Sequence, residues 1–200
     1  LIQANYRAGY FTHYAGAGTV ESCKVIYHGQ ETDLCLCRTM AKFDKKDNGD
    51  VVIIANPVTV TLDGQDIEIQ SIFRFVKGKG EIVIERNILN EVKDEVVLKE
   101  YLTGAFSTTE YQSSLEKVTL RVDDNVMKYE YKGRKITSTG KEAEINIPDV
   151  NTSIIFKDME NTSTLEVEEG IAFSPCYKIS SSKALTKGGL RTCLKLQKAN

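Results

Sequence analysis

Between residues 58 and 88 apolar side chains recur at every second position, and the alternation breaks only at turn signals. Val58, Val60 and Leu62 lead into Asp63-Gly64, and Ile67 and Ile69 follow it. Asp-Gly between two alternating runs is a strong hairpin signal, because both central residues of the tight turn must take positive φ. Ile72, Arg74 and Val76 then alternate with Phe73 and Phe75, Lys77-Gly78-Lys79-Gly80 supplies the next turn, and Ile82 and Ile84 alternate with Val83 and Glu85. A period of two sends successive side chains to opposite faces of an extended backbone and does not suit a helix. The stretch reads as a three-stranded antiparallel meander.

The same grammar extends in both directions. Residues 19–43 form a hairpin candidate with its turn near Gly29, and Asp44–Asp50 is a polar turn. Pro57 divides "VVIIANPVTVTL" into two strands or confines it to an edge, since proline donates no ladder hydrogen bond. Later runs such as "VVLKEYLTGAF", "KVTLRV", "AEINI", "TSIIF", "STLEVEE" and "LRTCLKLQK" are strand-like, with turns at Asp123-Asp124-Asn125, Lys132-Gly133 and Lys187-Gly188-Gly189. One segment, 89–102, partly fits helical spacing through Leu89, Val92, Val96 and Tyr101, although the β-branched pair Val96-Val97 also suits a strand. The prediction is an all-β fold, an antiparallel β-sandwich with at most one short helix, occupying residues 1–200 as a single domain.

Charge narrows the possible functions. The 26 Lys and Arg against 28 Asp and Glu leave a net charge of −2, so there is no basic excess to neutralise a run of phosphates, and nucleic-acid binding is not expected. No apolar run reaches the roughly 18–20 residues needed to span a bilayer. The chain starts Leu1-Ile2-Gln3, which fits a piece excised from a longer multidomain polypeptide. The compartment stays open, with an extracellular or cell-envelope setting favoured.

The five cysteines are Cys23, Cys35, Cys37, Cys176 and Cys193, and an odd count leaves one without an intrachain partner. Cys35 and Cys37 share a face if their segment is extended, and a hairpin through His28-Gly29-Gln30 would bring Cys23 opposite one of them. Without a CxxC pair, and with two histidines in all, zinc has little support; buried thiols packing as small hydrophobes are the favoured reading. No metal and no cofactor is predicted.

Other motifs resolve into structure. "DKKDNGD" resembles a calcium loop, but from Asp44 the third position is Lys46 and the twelfth is Ala55, so it reads as a solvated hairpin turn. Gly16-Ala17-Gly18 lacks a third glycine, having Glu21 in its place, and is followed by a strand pattern where a nucleotide fingerprint opens a helix. His28 sits at a predicted hairpin tip. Acid–base catalysis would require His13 or His28 beside a carboxylate such as Glu110 or Asp158, and no catalytic residue is assigned. The sequons at Asn151 and Asn161 read as chance occurrences.

The N-terminal cluster has stronger binding chemistry. Tyr6, Arg7, Tyr10 and His13, with Phe11 and Tyr14 among them, combine aromatic faces with hydrogen-bonding tips. An aromatic wall with a few polar groups suits a small polar ligand such as a sugar, stacked on its apolar face and bonded at its rim. The competing reading is that these side chains fill the core. Tyr6, Arg7, Tyr10 and His13 are the candidate ligand-binding residues.

Two stretches carry a family resemblance. "FRFVKGKGEIVIERNI" (73–88) is similar to a strand–turn–strand of the galactose mutarotase-like superfamily, and "GIAFSPCYKISSSKALTKGGLRTCLKLQK" (170–198) resembles its closing strands. That β-supersandwich occurs in aldose epimerases and as a domain of polysaccharide lyases, glycoside phosphorylases and glycoside hydrolases. The epimerase His and carboxylate pair has no clear counterpart in this sequence. The resemblance therefore implies a non-catalytic or catalysis-supporting domain of a carbohydrate-active enzyme, binding an oligosaccharide or polysaccharide or packing on an adjacent catalytic domain of the same chain. The alternatives are a free-standing epimerase or lyase with a His general base, and a structural or adhesion module of a cell-surface protein.

Overall fold

In the computed structural model the described residues are 19–105, 119–128, 135–137, 140–147, 152–160, 164–169 and 176–198. Tight turns set the first hairpins. Strand β1 (Thr19–Tyr27) returns as β2 (Gln30–Asp33) through His28 and Gly29, whose φ values are 47° and 79°. β5 (Val58–Leu62) returns as β6 (Gln65–Val76) through Asp63 and Gly64, at 47° and 74°. Paired positive φ values match the twist of the flanking strands, and each tip places Gly after His or Asp, residue types enriched at positive φ.

After β2 comes a single 3₁₀ turn, η1 (Leu34–Leu36), then β3 (Ala41–Lys45) and β4 (Val51–Ala55). β7 (Glu81–Ile88) and β8 (Val96–Ala105) follow β6. The remaining strands are β9 (Thr119–Val122), β10 (Asn125–Lys128), β11 (Lys135–Thr137), β12 (Glu142–Ile147), β13 (Thr152–Asp158), β14 (Thr164–Glu169), β15 (Cys176–Leu185) and β16 (Gly188–Lys198). They form two antiparallel sheets among the described residues. One has the order β11-β14-β15-β8-β1-β2; the other runs β10-β9-β12-β13-β16-β7-β6-β4-β3, with β5 beside the first half of β6. The meander predicted over 58–88 is β5-β6-β7, with Val60 opposite Ile67 and Phe73 opposite Ile84.

One open alternative is decided and one expectation is corrected. The segment 89–102 contains no helix: β8 starts at Val96 and pairs with both β1 and β15, so the β-branched Val96-Val97 pair outweighs the helical spacing. Cys35 and Cys37 do not lie on an extended strand. Asp33 caps η1 by accepting a hydrogen bond from Cys35 N, and Cys37 N donates to Leu34 O at 3.0 Å, which turns the chain away from β1 before either cysteine can pair across it. Cys23, Cys35, Cys37 and Cys193 are free thiols. Among the described residues no helix is long and apolar enough to cross a membrane.

The polar turn expected over 44–50 is shorter, since Asp44 and Lys45 belong to β3 and pair with β4; Asp50 joins the turn to the β6–β7 turn by accepting from Lys77 N at 3.0 Å. Between the sheets the core divides into two apolar clusters. One is built around Phe156, Ile84, Leu102, Ile145 and Leu194, the other around Ile67, Ile69, Ile88, Leu98 and Leu190. On four strands a polar residue sits at the inward position between the two clusters. Ser71 lies between Ile69 and Phe73, Arg86 between Ile84 and Ile88, Glu100 between Leu98 and Leu102, and Thr192 between Leu190 and Leu194.

Candidate functional site

A short cleft opens beside this polar band, between η1 and its flanks on one side and β4, β5 and β6 on the other. Its existence follows from the topology. β4 and β5 both pair with the same edge of β6, β4 along Ile72–Phe75 and β5 along Gln65–Ile69, and the chain crosses between them at Asn56-Pro57. The break between the two strands leaves a gap on that side of the sandwich. Thr39, Asn56 and Cys37 line it, and Phe73, Ser71 and Arg86 lie at its polar end. Its volume is about 100 Å³.

Arg86 organises that end. Its Nε donates to Glu100 Oε2 at 2.8 Å and its Nη2 to Glu100 Oε1 at 3.1 Å, which forms a forked contact between the two sheets. Nη2 also donates to Glu21, and Nη1 donates to Ser71 Oγ at 2.6 Å. The guanidinium lies 4.9 Å from the centre of the Phe73 ring. Glu100 is fully buried. Burial pushes its carboxyl above the ordinary range, against the pull of Arg86. Four of the five guanidinium N–H donors are committed to two carboxylates and a hydroxyl, so Arg86 ties the sheets together at the polar end of the cleft.

A second network supports η1. Asp33 accepts from Ser22 Oγ, from Tyr101 Oη at 2.7 Å and from Cys35 N at 3.1 Å. Burial alone would raise the Asp33 carboxyl, yet these hydrogen bonds outweigh it and hold the group below its ordinary value. Burial and the nearby Asp33 charge push the Tyr101 hydroxyl up, and Lys178 Nζ sits 4.8 Å above the Tyr101 ring. Burial, followed by Asp33, pushes Cys35 up to about 11 and also raises Cys37. Both thiols at the cleft are therefore protonated at neutral pH, a poor state for nucleophilic chemistry.

His28 lies at the hairpin tip predicted for it and is exposed. Among the described residues its carboxylate partners are Asp63 and Asp94, not Asp158. Nδ1 is 2.7 Å from Asp63 Oδ2 and Nε2 is 3.2 Å from Asp94 Oδ2, and the ring stacks on Tyr27 at 4.1 Å. Asp158 is buried on β13. Tyr6, Arg7, Tyr10 and His13 lie outside the described residues, as do Glu110, Gly16-Ala17-Gly18, Asn151 and Asn161.

Sequence reasoning missed Arg86, Glu100 and Glu21. A signal was present for two of them: Arg86 follows Ile82 and Ile84 at the same parity, and Glu100 follows Val96 and Leu98. A charge on the apolar side of an alternating strand marks either an edge or a buried partner.

No family model matches the chain, and no curated protein matches it by sequence. Solved structures do match it in shape. The alpha-N-acetylgalactosaminidase NagBb of Bifidobacterium bifidum, in complex with GalNAc, aligns over 90% of this chain and 31% of its own, with a TM-score of 0.65 and 9% identity. A putative aldose 1-epimerase of Escherichia coli K12 aligns over 88% of this chain and 84% of its own, with a TM-score of 0.55 and 9% identity. A galactose mutarotase-like protein of Clostridium acetobutylicum aligns over 82% and 67%, with a TM-score of 0.51 and 10% identity. At such identities the likeness is one of fold. The chain thus shares its antiparallel β-sandwich fold with galactose mutarotase-like proteins.

Proposed function

We propose that this chain is a β-sandwich domain of a carbohydrate-active enzyme, part of a longer multidomain protein, and that it contributes glycan contacts or packs on a catalytic domain without performing the chemistry. The observation that carries this reading is the NagBb alignment, in which nearly all of this chain corresponds to under a third of a glycosidase. The thiols at the cleft are protonated, and the carboxylates beside it are tied up in Arg86 and in the Asp33 network. At about 100 Å³ the cleft is smaller than the ~150 Å³ cavity that holds a benzene ring. It admits one substituent arm of a sugar, with the ring outside against the mouth. Tyr6, Arg7, Tyr10 and His13 would supply further stacking and hydrogen-bonding groups on the glycan-facing surface.

A second reading is a free-standing sugar epimerase, favoured by the 84% coverage of the putative aldose 1-epimerase. In that case His28, set between Asp63 and Asp94, is the histidine available as general base among the described residues.

Titration with galactose, N-acetylgalactosamine and their oligosaccharides, followed by NMR, together with polarimetry of galactose anomerisation, separates the two. Binding with no acceleration of anomerisation supports the domain reading, and Tyr10→Ala should then weaken binding while the unfolding midpoint moves little. Acceleration lost in His28→Ala supports the epimerase. An unfolded Tyr10→Ala variant, with Arg7→Ala and His13→Ala silent in binding, would assign the N-terminal aromatics to the core.

A further inference from the structure

Strand β3 ends the larger sheet among the described residues, and all five of its residues are exposed. Phe43 at its centre is 75% exposed, with Met40 and Leu36 nearby at 76% and 64%. Lys46 N donates to Asp50 O at 2.8 Å and Asn56 N donates to Met40 O at 2.7 Å. Those two bonds fix the parity of the ladder. Even-numbered residues of β3 direct their backbone groups at β4, and Ala41, Phe43 and Lys45 direct theirs away from it, toward the open edge. Phe43 lies opposite Ile53, which lies opposite Phe73, so its side chain is on the face turned toward the smaller sheet; Lys42 and Asp44 are on the other face.

We propose that β3 is the contact edge of a two-fold symmetric homodimer, pairing antiparallel with β3 of a second copy about Phe43. The sequence Ala41-Lys42-Phe43-Asp44-Lys45 is self-complementary in that register. Phe43 meets the partner's Phe43, Lys42 meets the partner's Asp44, Asp44 meets the partner's Lys42, and Lys45 meets the partner's Ala41. No like charges come opposite one another. Every residue whose backbone points outward, 41, 43 and 45, falls opposite another such residue, so the pairing closes three reciprocal hydrogen-bonded pairs, centred on Phe43. Lys42 and the partner's Asp44 form the closer, non-hydrogen-bonded pairs, in which side chains approach most nearly. An isologous contact of this kind closes on itself and does not propagate into a fibre.

Lysines usually keep an exposed edge unpaired, but here one of them, Lys42, faces a carboxylate in the proposed register. Asp44 also lies 2.5 Å from Lys46 Nζ within its own chain, and its second oxygen remains for the partner's cation. Five residues per copy fall well below the roughly 20–30 per side of a standard interface, so the dimer is weak and concentration-dependent.

Sedimentation velocity over a concentration series tests the pairing, with circular dichroism as the folding check. The wild type should show a monomer–dimer equilibrium. Lys42→Asp and Asp44→Lys should each raise the dissociation constant at least about tenfold, because each sets like charges opposite one another twice. The double variant Lys42→Asp/Asp44→Lys should recover most of that loss, since each ion pair between copies is restored with its direction exchanged, while the Asp44–Lys46 contact within each copy is lost. Phe43→Asp should abolish the dimer with the fold intact. A wild type that stays monomeric at every concentration overturns the proposal. A dimer indifferent to these substitutions does so as well, by placing the contact elsewhere.

Discussion

Arg86 on β7 and Glu100 on β8 join the two sheets through a pair of hydrogen bonds, 2.8 and 3.1 Å long, with Glu100 fully buried and Arg86 nearly so. The contact lies between the two apolar clusters, and Arg86 also lines the cleft. Its energetic meaning is asymmetric: a buried ion pair adds little net stability over an apolar replacement, while an orphaned buried charge is costly.

Arg86→Met should therefore destabilise the fold by about 3–5 kcal/mol in urea unfolding, since it leaves Glu100 and Glu21 facing each other without a cation. Arg86→Lys should recover part of that loss, as an ammonium cannot make the fork.

The Arg86→Met cost should also depend on pH. Glu100 in the folded chain is pushed above its ordinary 4.5 by burial, and removing Arg86 pushes it further. A carboxyl with a raised folded-state value contributes stability below its unfolded value and loses that contribution as pH rises through the folded one. The variant should be closest to wild type near pH 4.5 and furthest from it at neutral pH, read from unfolding midpoints across that range.

Asp33 has the opposite sign. Hydrogen bonds hold it below its ordinary 3.8, so it stabilises the fold above that value and the contribution is lost as pH falls through the lower folded-state value. Asp33→Asn should lower stability at pH 6–7 and flatten the acid limb of the stability profile below about pH 4. An unchanged acid limb would contradict the network around η1.

Thiol labelling reports on the same region. With Cys35 pushed up to about 11, its thiolate is about one part in ten thousand at pH 7, and alkylation should accelerate roughly tenfold per pH unit up to that value. Cys23, fully buried and raised by burial and then by Glu100, should label only on unfolding. Peptide mass spectrometry distinguishes the two.

Gly64→Val should cost about 1–2 kcal/mol. Its φ of +74° strains any residue with a Cβ. No atom stands within 4 Å of the added Cβ, so the penalty is conformational and measurable as such.

Local rules carried far along this chain. Alternation and two-residue turn chemistry are properties of neighbouring residues, so the meander from Val58 to Ile88, the turns at His28-Gly29 and Asp63-Gly64, and the division of a strand pair at Pro57 were all legible before any tertiary information. The same holds for the all-β class and its resemblance to the mutarotase-like sandwich. Other features needed the fold. Val96–Leu102 satisfies a helical and an extended pattern alike, and only pairing with β1 and β15 selected the strand. Cys35 looked extended until Asp33 captured its amide and wound η1. The cleft depends on β4 and β5 sharing one edge of β6, and the Arg86–Glu100 contact joins residues 14 apart through opposite sheets. Parity along a strand says which face a charge occupies. It does not say what lies across the sandwich, because that is fixed by the order in which strands pair.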